Sequence, residues 1–152
     1  MPRALSHLDS SGNARMVSVG HKPDVARVAE ARAFITLAAA TIRLLKKNAL
    51  PKGDVLTVAK IAGIQAAKQT SALIPLCHPL PLHHIDLHFT VRRGGIEIRA
   101  TAKTIGKTGV EMEALTAASV AALTLYDMCK AVDKTMSFDV ALLSKKKGPA
   151  RA

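Results

Sequence analysis

Two residues in the stretch LTLYDMCK set the chemistry that this 152-residue chain could perform. Asp127 and Lys130 stand three apart, so on a helix they share a face and reach one another. On a solvated surface such a pair is an ion pair worth little. With Leu123, Leu125, Tyr126, Met128 and Cys129 around it, partial burial is expected, and buried pairs are where acid–base groups are tuned. Glu113 lies earlier in the same segment, 14 positions before Asp127. At ~1.5 Å per residue that is about 21 Å of helix, so one chain cannot set both carboxylates on one reacting bond. If both act, either the ligand is long or the site is shared between subunits. Glu111 completes the pattern Thr108-x-x-Glu111, a capping box, and the spacing favours a cap over chemistry.

The loop LIPLCHPLPLHH gathers Cys77, His78, His83 and His84, with His88 beyond. Cysteine and histidine are zinc ligands, but here they are adjacent and no second cysteine pair exists. His84 and His88 fall on the outer face of a strand, about 13 Å apart at ~3.3 Å per residue, too far to share an ion. No metal site is expected. His78, held between Cys77 and Pro79, reads equally as a proton donor or substrate ligand and as a satisfied loop histidine. The segment GKTG at 106–109 lacks the earlier glycine of a phosphate loop, since Thr101 stands there. Lys107 and a helix start could still hold an anion. Lys52, in PKGD, is either a solubilising loop residue or a cation that reaches an anion.

These groups need elements to position them. Residues 1–15, rich in Ser, Gly and Asn, read as a flexible lead-in. Val25 to Thr36 is mixed in character and predicts an edge strand. Residues 38–48 predict a helix ending at Lys46 and Lys47, with cations where the dipole favours them. After the break at Pro51 and Gly53, Asp54 is placed as N-cap of a helix running on through Ile74. Ile85, Leu87, Phe89 and Val91 alternate with polar residues, and Gly94-Gly95 joins them to a second alternating run at Ile96, Ile98, Ala100 and Ala102, a hairpin. A long helix over 110–132 and a strand over 138–143 complete the order. A ferredoxin-like α+β fold, an antiparallel sheet with helices on one face, accommodates it. One domain is expected over 16–144, followed by a basic flexible tail at 145–152.

The chain carries 22 Lys+Arg against 11 Asp+Glu, a net charge of +11, which points to an anionic partner. The excess is spread along the chain, and only Lys145, Lys146, Lys147 and Arg151 cluster. A basic nucleic-acid-binding module is the alternative, to be discriminated by the salt dependence of DNA or RNA affinity. Against it, three Phe and one Tyr offer no stacking platform and no helix concentrates arginine. No apolar run is long enough for a membrane helix, the N-terminus is too polar for a signal peptide, and two distant cysteines suit a reducing compartment, so the cytoplasm is expected.

The stretches KGDVLTVAKIAGIQAAKQTSALIPLCHPLPL and GKTGVEMEALTAASVAALTLYDMCKAVDK closely resemble the MoaC family of molybdenum cofactor biosynthesis, and the likeness runs from about Met16 to Leu143. The resemblance implies a ferredoxin-like subunit in a homohexamer, a trimer of dimers with active sites at interfaces. It implies conversion of a small molecule, a cyclised dihydro-GTP, to cyclic pyranopterin monophosphate with loss of pyrophosphate. By motif it implies Asp127 as catalytic aspartate, Lys130 as its partner and Lys52 as a mobile active-site lysine. Leu76, Cys77 and His78 match one substrate-binding stretch; Met112 and Glu113, with Glu111 beside them, match another. Opening and closing the guanine-derived rings requires protons given and taken, and the departing pyrophosphate requires cations. No metal, flavin or nicotinamide motif occurs, so protein groups alone are expected to act, with no cofactor. The chain departs from the family's usual Val-Asp-Val-Ser, reading Val17, Ser18, Val19, Gly20, and from its usual ending, reading Ser144, Lys145, Lys146, Lys147, Gly148.

Overall fold

Period-two alternation builds the first strand. In β1 (Val25–Thr36) the side chains of Ala29, Ala31, Ala33 and Ile35 are fully buried, while Val28, Glu30, Arg32 and Phe34 between them are half-buried on the opposite face. Helices α1 (Ala39–Lys46), α2 (Val55–Lys68) and the single turn α3 (Thr70–Leu73) follow. The hairpin of β2 (His84–Arg92) and β3 (Gly95–Gly106), helix α4 (Glu111–Cys129) and strand β4 (Phe138–Ala150) complete the chain. The structure, a computed structural model, describes residues 5–150. Its four strands form one antiparallel sheet in the order β2-β3-β1-β4. Helices cross between β1 and β2 and between β3 and β4, the ferredoxin-like arrangement.

The first strand is therefore central, not an edge. Its charged residues, Glu30 and Arg32, point away from the helices. There Arg32 bonds Glu97 at 3.0 Å, Arg99 bridges Glu97 and Glu30 at 3.2 and 3.1 Å, and the Arg32 guanidinium lies 5.4 Å above the Phe34 ring. A paired, half-buried charged layer is compatible with a central strand where charges facing the core would not be.

On the helix side the contact is alanine against alanine. Ala114, Ala117, Ala118, Ala121 and Ala122 of α4 are fully buried, as are Ala29, Ala31 and Ala33 of β1 and Ala100 and Ala102 of β3. Small side chains on both sides bring the helix close to the sheet, and the fully buried Ile35, Leu87, Ile96, Ile98 and Leu125 complete the core around that contact. Helix α2 approaches as closely: a Cβ on Gly63 would lie 2.5 Å from Leu87 Cδ2 and 2.9 Å from the Ala117 carbonyl oxygen.

Several helix ends depart from expectation for local reasons. Asp54 caps α2 as expected, accepting from the Thr57 N–H at 3.2 Å. The helix stops at Lys68 instead of running through Ile74, and Thr70 turns its hydroxyl back onto the Ala67 carbonyl at 2.9 Å. Helix α1 has no capping side chain of its own at Ala38. Asp133, 3% exposed in the α4–β4 connection, supplies one: its Oδ2 accepts from the Ala38 N–H at 2.8 Å and the Thr41 hydroxyl at 2.9 Å. Its Oδ1 accepts from the N–H and hydroxyl of Thr135. Burial pushes this carboxyl up, but those donors outweigh it and hold its pKa at about 2.

The last strand is longer than the sequence suggested. Lys145, Lys146 and Lys147, expected in a flexible tail, pair with Ala29, Val28 and Arg27 of β1. The free edge of β1 needs backbone partners there, and exposed lysines suit an edge strand because they discourage further pairing. Arg151 lies outside the described residues. At the other terminus residues 5–15 fold into a tight turn: Asp9 accepts from the N–H groups of Ser11 and Asn13, and Leu8 bridges to Ala14. The first four positions of the expected lead-in lie outside the described residues. Among the described residues no helix is long and apolar enough to cross a membrane.

Candidate active site

At one end of the sheet, where Val25 of β1 pairs with Gly106 of β3, four segments converge. They are the proline-rich loop before β2, residues 107–110, the first turn of α4 and residues 6–22. Between them lies a cavity of about 390 Å³. Leu76, Cys77 and His78 from the loop and Glu111, Met112 and Glu113 from α4 all line it, opposite Val17, Val19 and Lys22. The six residues that the sequence singled out for substrate binding are thus brought together.

Their electrostatics differ. Glu113 is only 4% exposed. Burial raises its pKa, its own backbone N–H lowers it, and the neighbouring Glu111 raises it again, with the upward direction winning. A carboxyl shifted upward can exchange a proton nearer neutrality. Burial, Glu113 and Glu111 together also push the Cys77 thiol up, so it stays protonated and is no thiolate nucleophile. His78 donates from Nε2 to the Val17 carbonyl. A carbonyl only accepts, so Nε2 bears the hydrogen, and in the neutral ring Nδ1 is left as an acceptor.

The capping box does not form. The N-cap of α4 is Val110, without a side-chain cap, and Glu111 turns instead toward Lys145 of β4, 3.6 Å away. Its Oε2 is buried with no partner. A second cavity of about 270 Å³ adjoins, lined by Arg27, Glu111 and Lys145, Lys146 and Lys147. Arg27 Nη2 donates to the Lys107 carbonyl at 3.3 Å while its Nε is buried and unpartnered. Buried polar atoms in folded proteins are normally satisfied, so an orphan donor and an orphan acceptor beside one cavity mark where a polar ligand would complete the set. Lys107 itself does not face this space as an anion ligand. It donates to the Lys22 carbonyl at 2.7 Å and lies 3.6 Å from Asp24. The cations come from β4 instead.

The second cluster sits at the far end of α4. Lys130 Nζ is 2.7 Å from Asp127 Oδ1, and Lys52 Nζ, from the α1–α2 connection, is 2.9 Å from Oδ2. Hydrogen bonds from Lys130 and then Lys52 hold the Asp127 carboxyl at about 2, and Asp127 in turn raises Lys130. Near neutrality this is an ionised carboxylate clamped by two lysine side chains. Partial burial was expected for Asp127, but its side chain is 54% exposed. The apolar residues around it in sequence divide by helical period: Leu125, Met128 and Cys129 enter the core, and Tyr126 stays outside with Asp127 and Lys130.

Among the described residues no three His, Cys, Asp or Glu side chains gather as metal ligands would, and His84 and His88 are exposed. Sequence reasoning missed Arg27, concealed in a strand, and Lys145, assigned to a tail. It also missed Val17 and Val19, whose alternation with exposed Ser18 and Gly20 was the available signal. The two departures from the family's Val-Asp-Val-Ser therefore fall on the outward positions and leave the cavity wall unchanged.

Known proteins resemble this chain along most of its length. The family model described as MoaC family matches residues 16–148. A cyclic pyranopterin monophosphate synthase of Chloroflexus aggregans is 57% identical over 146 residues, covering 95% of this chain and 88% of that protein. One of Oleidesulfovibrio alaskensis is 57% identical over 136 residues, covering 88% and 86%. Another, of Peptoclostridium acidaminophilum, is 54% identical over 144 residues, covering 95% and 92%. The matched span takes in both ends of α4, the loop of His78, the connection of Lys52 and the strand of Lys145, and on that likeness the chain belongs to the MoaC family.

Proposed function

We propose that this chain is a lyase that converts a cyclised dihydro-GTP to cyclic pyranopterin monophosphate with release of pyrophosphate, a step of molybdenum cofactor biosynthesis. The observation that carries this reading is the first cavity: a buried, upward-shifted Glu113 next to His78 and a protonated Cys77, with cationic β4 alongside. Ring opening and re-closure need a group that gives and takes protons, which Glu113 suits, with His78 Nδ1 as acceptor. Asp127, held ionised, and Lys130 act as the acid–base pair, and Lys52 meets phosphate or leaving-group charge. Glu111, Met112, Leu76 and Cys77 position the substrate. Protein groups suffice for each step, without a cofactor, and the reaction takes place in the cytoplasm. The purified chain is expected to yield cyclic pyranopterin monophosphate and pyrophosphate in equal amounts from cyclised dihydro-GTP; substrate left unchanged would reject the reading.

We propose also that the active site is shared within a homohexamer, a trimer of dimers. Glu113 and Asp127 are set about 21 Å apart by the rise of one continuous helix, too far for a single substrate to meet both on one chain. Val58 and Ile61 on α2 and Leu123 on α4 leave apolar side chains exposed, as an assembly contact would require. Light scattering is expected to give six times the chain mass of 16.1 kDa. A monomer would sink the shared-site argument.

A further inference from the structure

The wall of the first cavity opposite the loop and helix comes from residues 6–22, which nothing in the catalytic reading uses. Val17 and Val19 line it, as do Ser6, His7 and Lys22 from the two ends of the segment. His7 is exposed and Ser6 Oγ lies 3.2 Å from its Nδ1. Among the described residues, residues 16–24 make no backbone pairing with the sheet. Two side-chain bonds to strap carbonyls hold the segment down, His78 to Val17 and Lys107 to Lys22, with Asp24 near Lys107 as a weaker tie. A segment so held, exposed along most of its length, opens at low free-energy cost relative to the sheet. One of its two ties is His78, itself a cavity residue, so a ligand that engages His78 acts directly on the anchor.

We propose that residues 6–22 form a strap that closes over the cavity when it is filled, and that His7 on this strap is a further ligand-contacting residue. The identity of the ligand rests on the function proposed above. With Nδ1 engaged by Ser6, the Nε2 of His7 has no partner among the described residues and is proposed to make one hydrogen bond into the cavity. Lys22 brings an ammonium group to a space whose other charged lining groups are Glu111 and Glu113. Closure would remove the ligand and these carboxyls from water, which strengthens each polar contact.

Hydrogen exchange on the full chain, with and without saturating cyclic pyranopterin monophosphate, tests the strap, and steady-state kinetics of His7→Ala and His7→Gln test the residue. The expected result is slowed exchange over residues 6–22 in the presence of the product, together with a KM about tenfold higher for His7→Ala, the loss of one hydrogen bond. Because His7 is exposed, its removal does not threaten the fold, and His7→Gln, which can still hydrogen-bond, should recover part of the KM. Slowed exchange at residues 76–78 and 111–113 without any over 6–22 would overturn the strap, and a KM for His7→Ala within twofold of the parent would overturn the role of His7. No change anywhere on the chain would instead reject the ligand, and with it the proposed function.

Discussion

Asp127→Ala should lower turnover of cyclised dihydro-GTP by about 10² to 10⁴, the range of a lost acid–base group, while leaving the fold intact. The side chain is half-exposed and supports no packing, so its removal opens no cavity. What it does remove is the partner of both Lys130 and Lys52, at 2.7 and 2.9 Å. Groups that act as a unit lose function together, so Asp127→Ala combined with Lys130→Ala should be little worse than either alone. The pH profile carries a sign. Because the two ammonium groups hold Asp127 at about 2, it is ionised throughout the working range and cannot produce an acid limb near neutrality. An acid limb in kcat/KM well above that pH is expected to follow Glu113, whose pKa is shifted the other way, and to move in Glu113→Gln. A folded Asp127→Ala chain with parental turnover would remove Asp127 from the mechanism.

The second large effect concerns stability. Asp133→Ala is expected to cost about 3 kcal/mol, combining a lost helix cap at ~1 kcal/mol with buried donors left without acceptors at ~1–3 kcal/mol. In a chain of this length that is a fall in Tm of about 6–12 °C. The Thr41 hydroxyl, fully buried, and the Ala38 N–H at the start of α1 are the donors orphaned. The same carboxylate makes a pH-dependent contribution. Its pKa drops from 3.8 to about 2 on folding, so the stability it confers is fully present above pH 4 and is lost as pH falls through about 2. A shift of that size corresponds to about 2.5 kcal/mol. Urea midpoints at pH 7 and pH 2.5 measure both: the gap between parent and Asp133→Ala should narrow at the lower pH, and an equal gap at both would place the effect in packing rather than charge.

What could be read from the sequence was local. The β2–β3 hairpin announced itself through alternation on either side of Gly94, and Gly94 adopts φ +84°, a backbone conformation that side chains disfavour. The Asp54 cap lay within three residues of the N–H it satisfies. Strand order was visible only as a fold-level inference, because pairing is non-local: nothing within Val25–Thr36 reveals that both its edges are occupied. The length of β4 was concealed for the same reason, since three consecutive lysines look like a solvated end until the neighbouring edge is known. At the site, the grouping of Cys77 and His78 with Glu111 and Glu113 came from family likeness rather than spacing. Arg27, Lys145 and His7 join it only through tertiary contacts between distant segments, as does Asp133 at α1. Glu111 shows the converse error, a local motif that tertiary context overrides.

The alanine layer between α4 and the sheet limits how this protein can drift. Truncating a fully buried alanine to glycine removes one methyl group, so there is little volume to lose. Any enlargement must displace a helix that carries Glu111 and Glu113 at one end and Asp127 at the other. Ordinary cores accumulate compensating large and small exchanges; here the fully buried partners large enough to shrink are few, chiefly Ile35, Leu87, Ile96, Ile98 and Leu125. Variation should therefore concentrate on the outer, charged face of the sheet and in the exposed connections, and a homologue with a bulkier residue at Ala117 should show a smaller one at Leu87, which packs beside Gly63 next to the Ala117 carbonyl. The proposed reach of the active site along α4 is thus also a ceiling on side-chain size in the middle of the molecule.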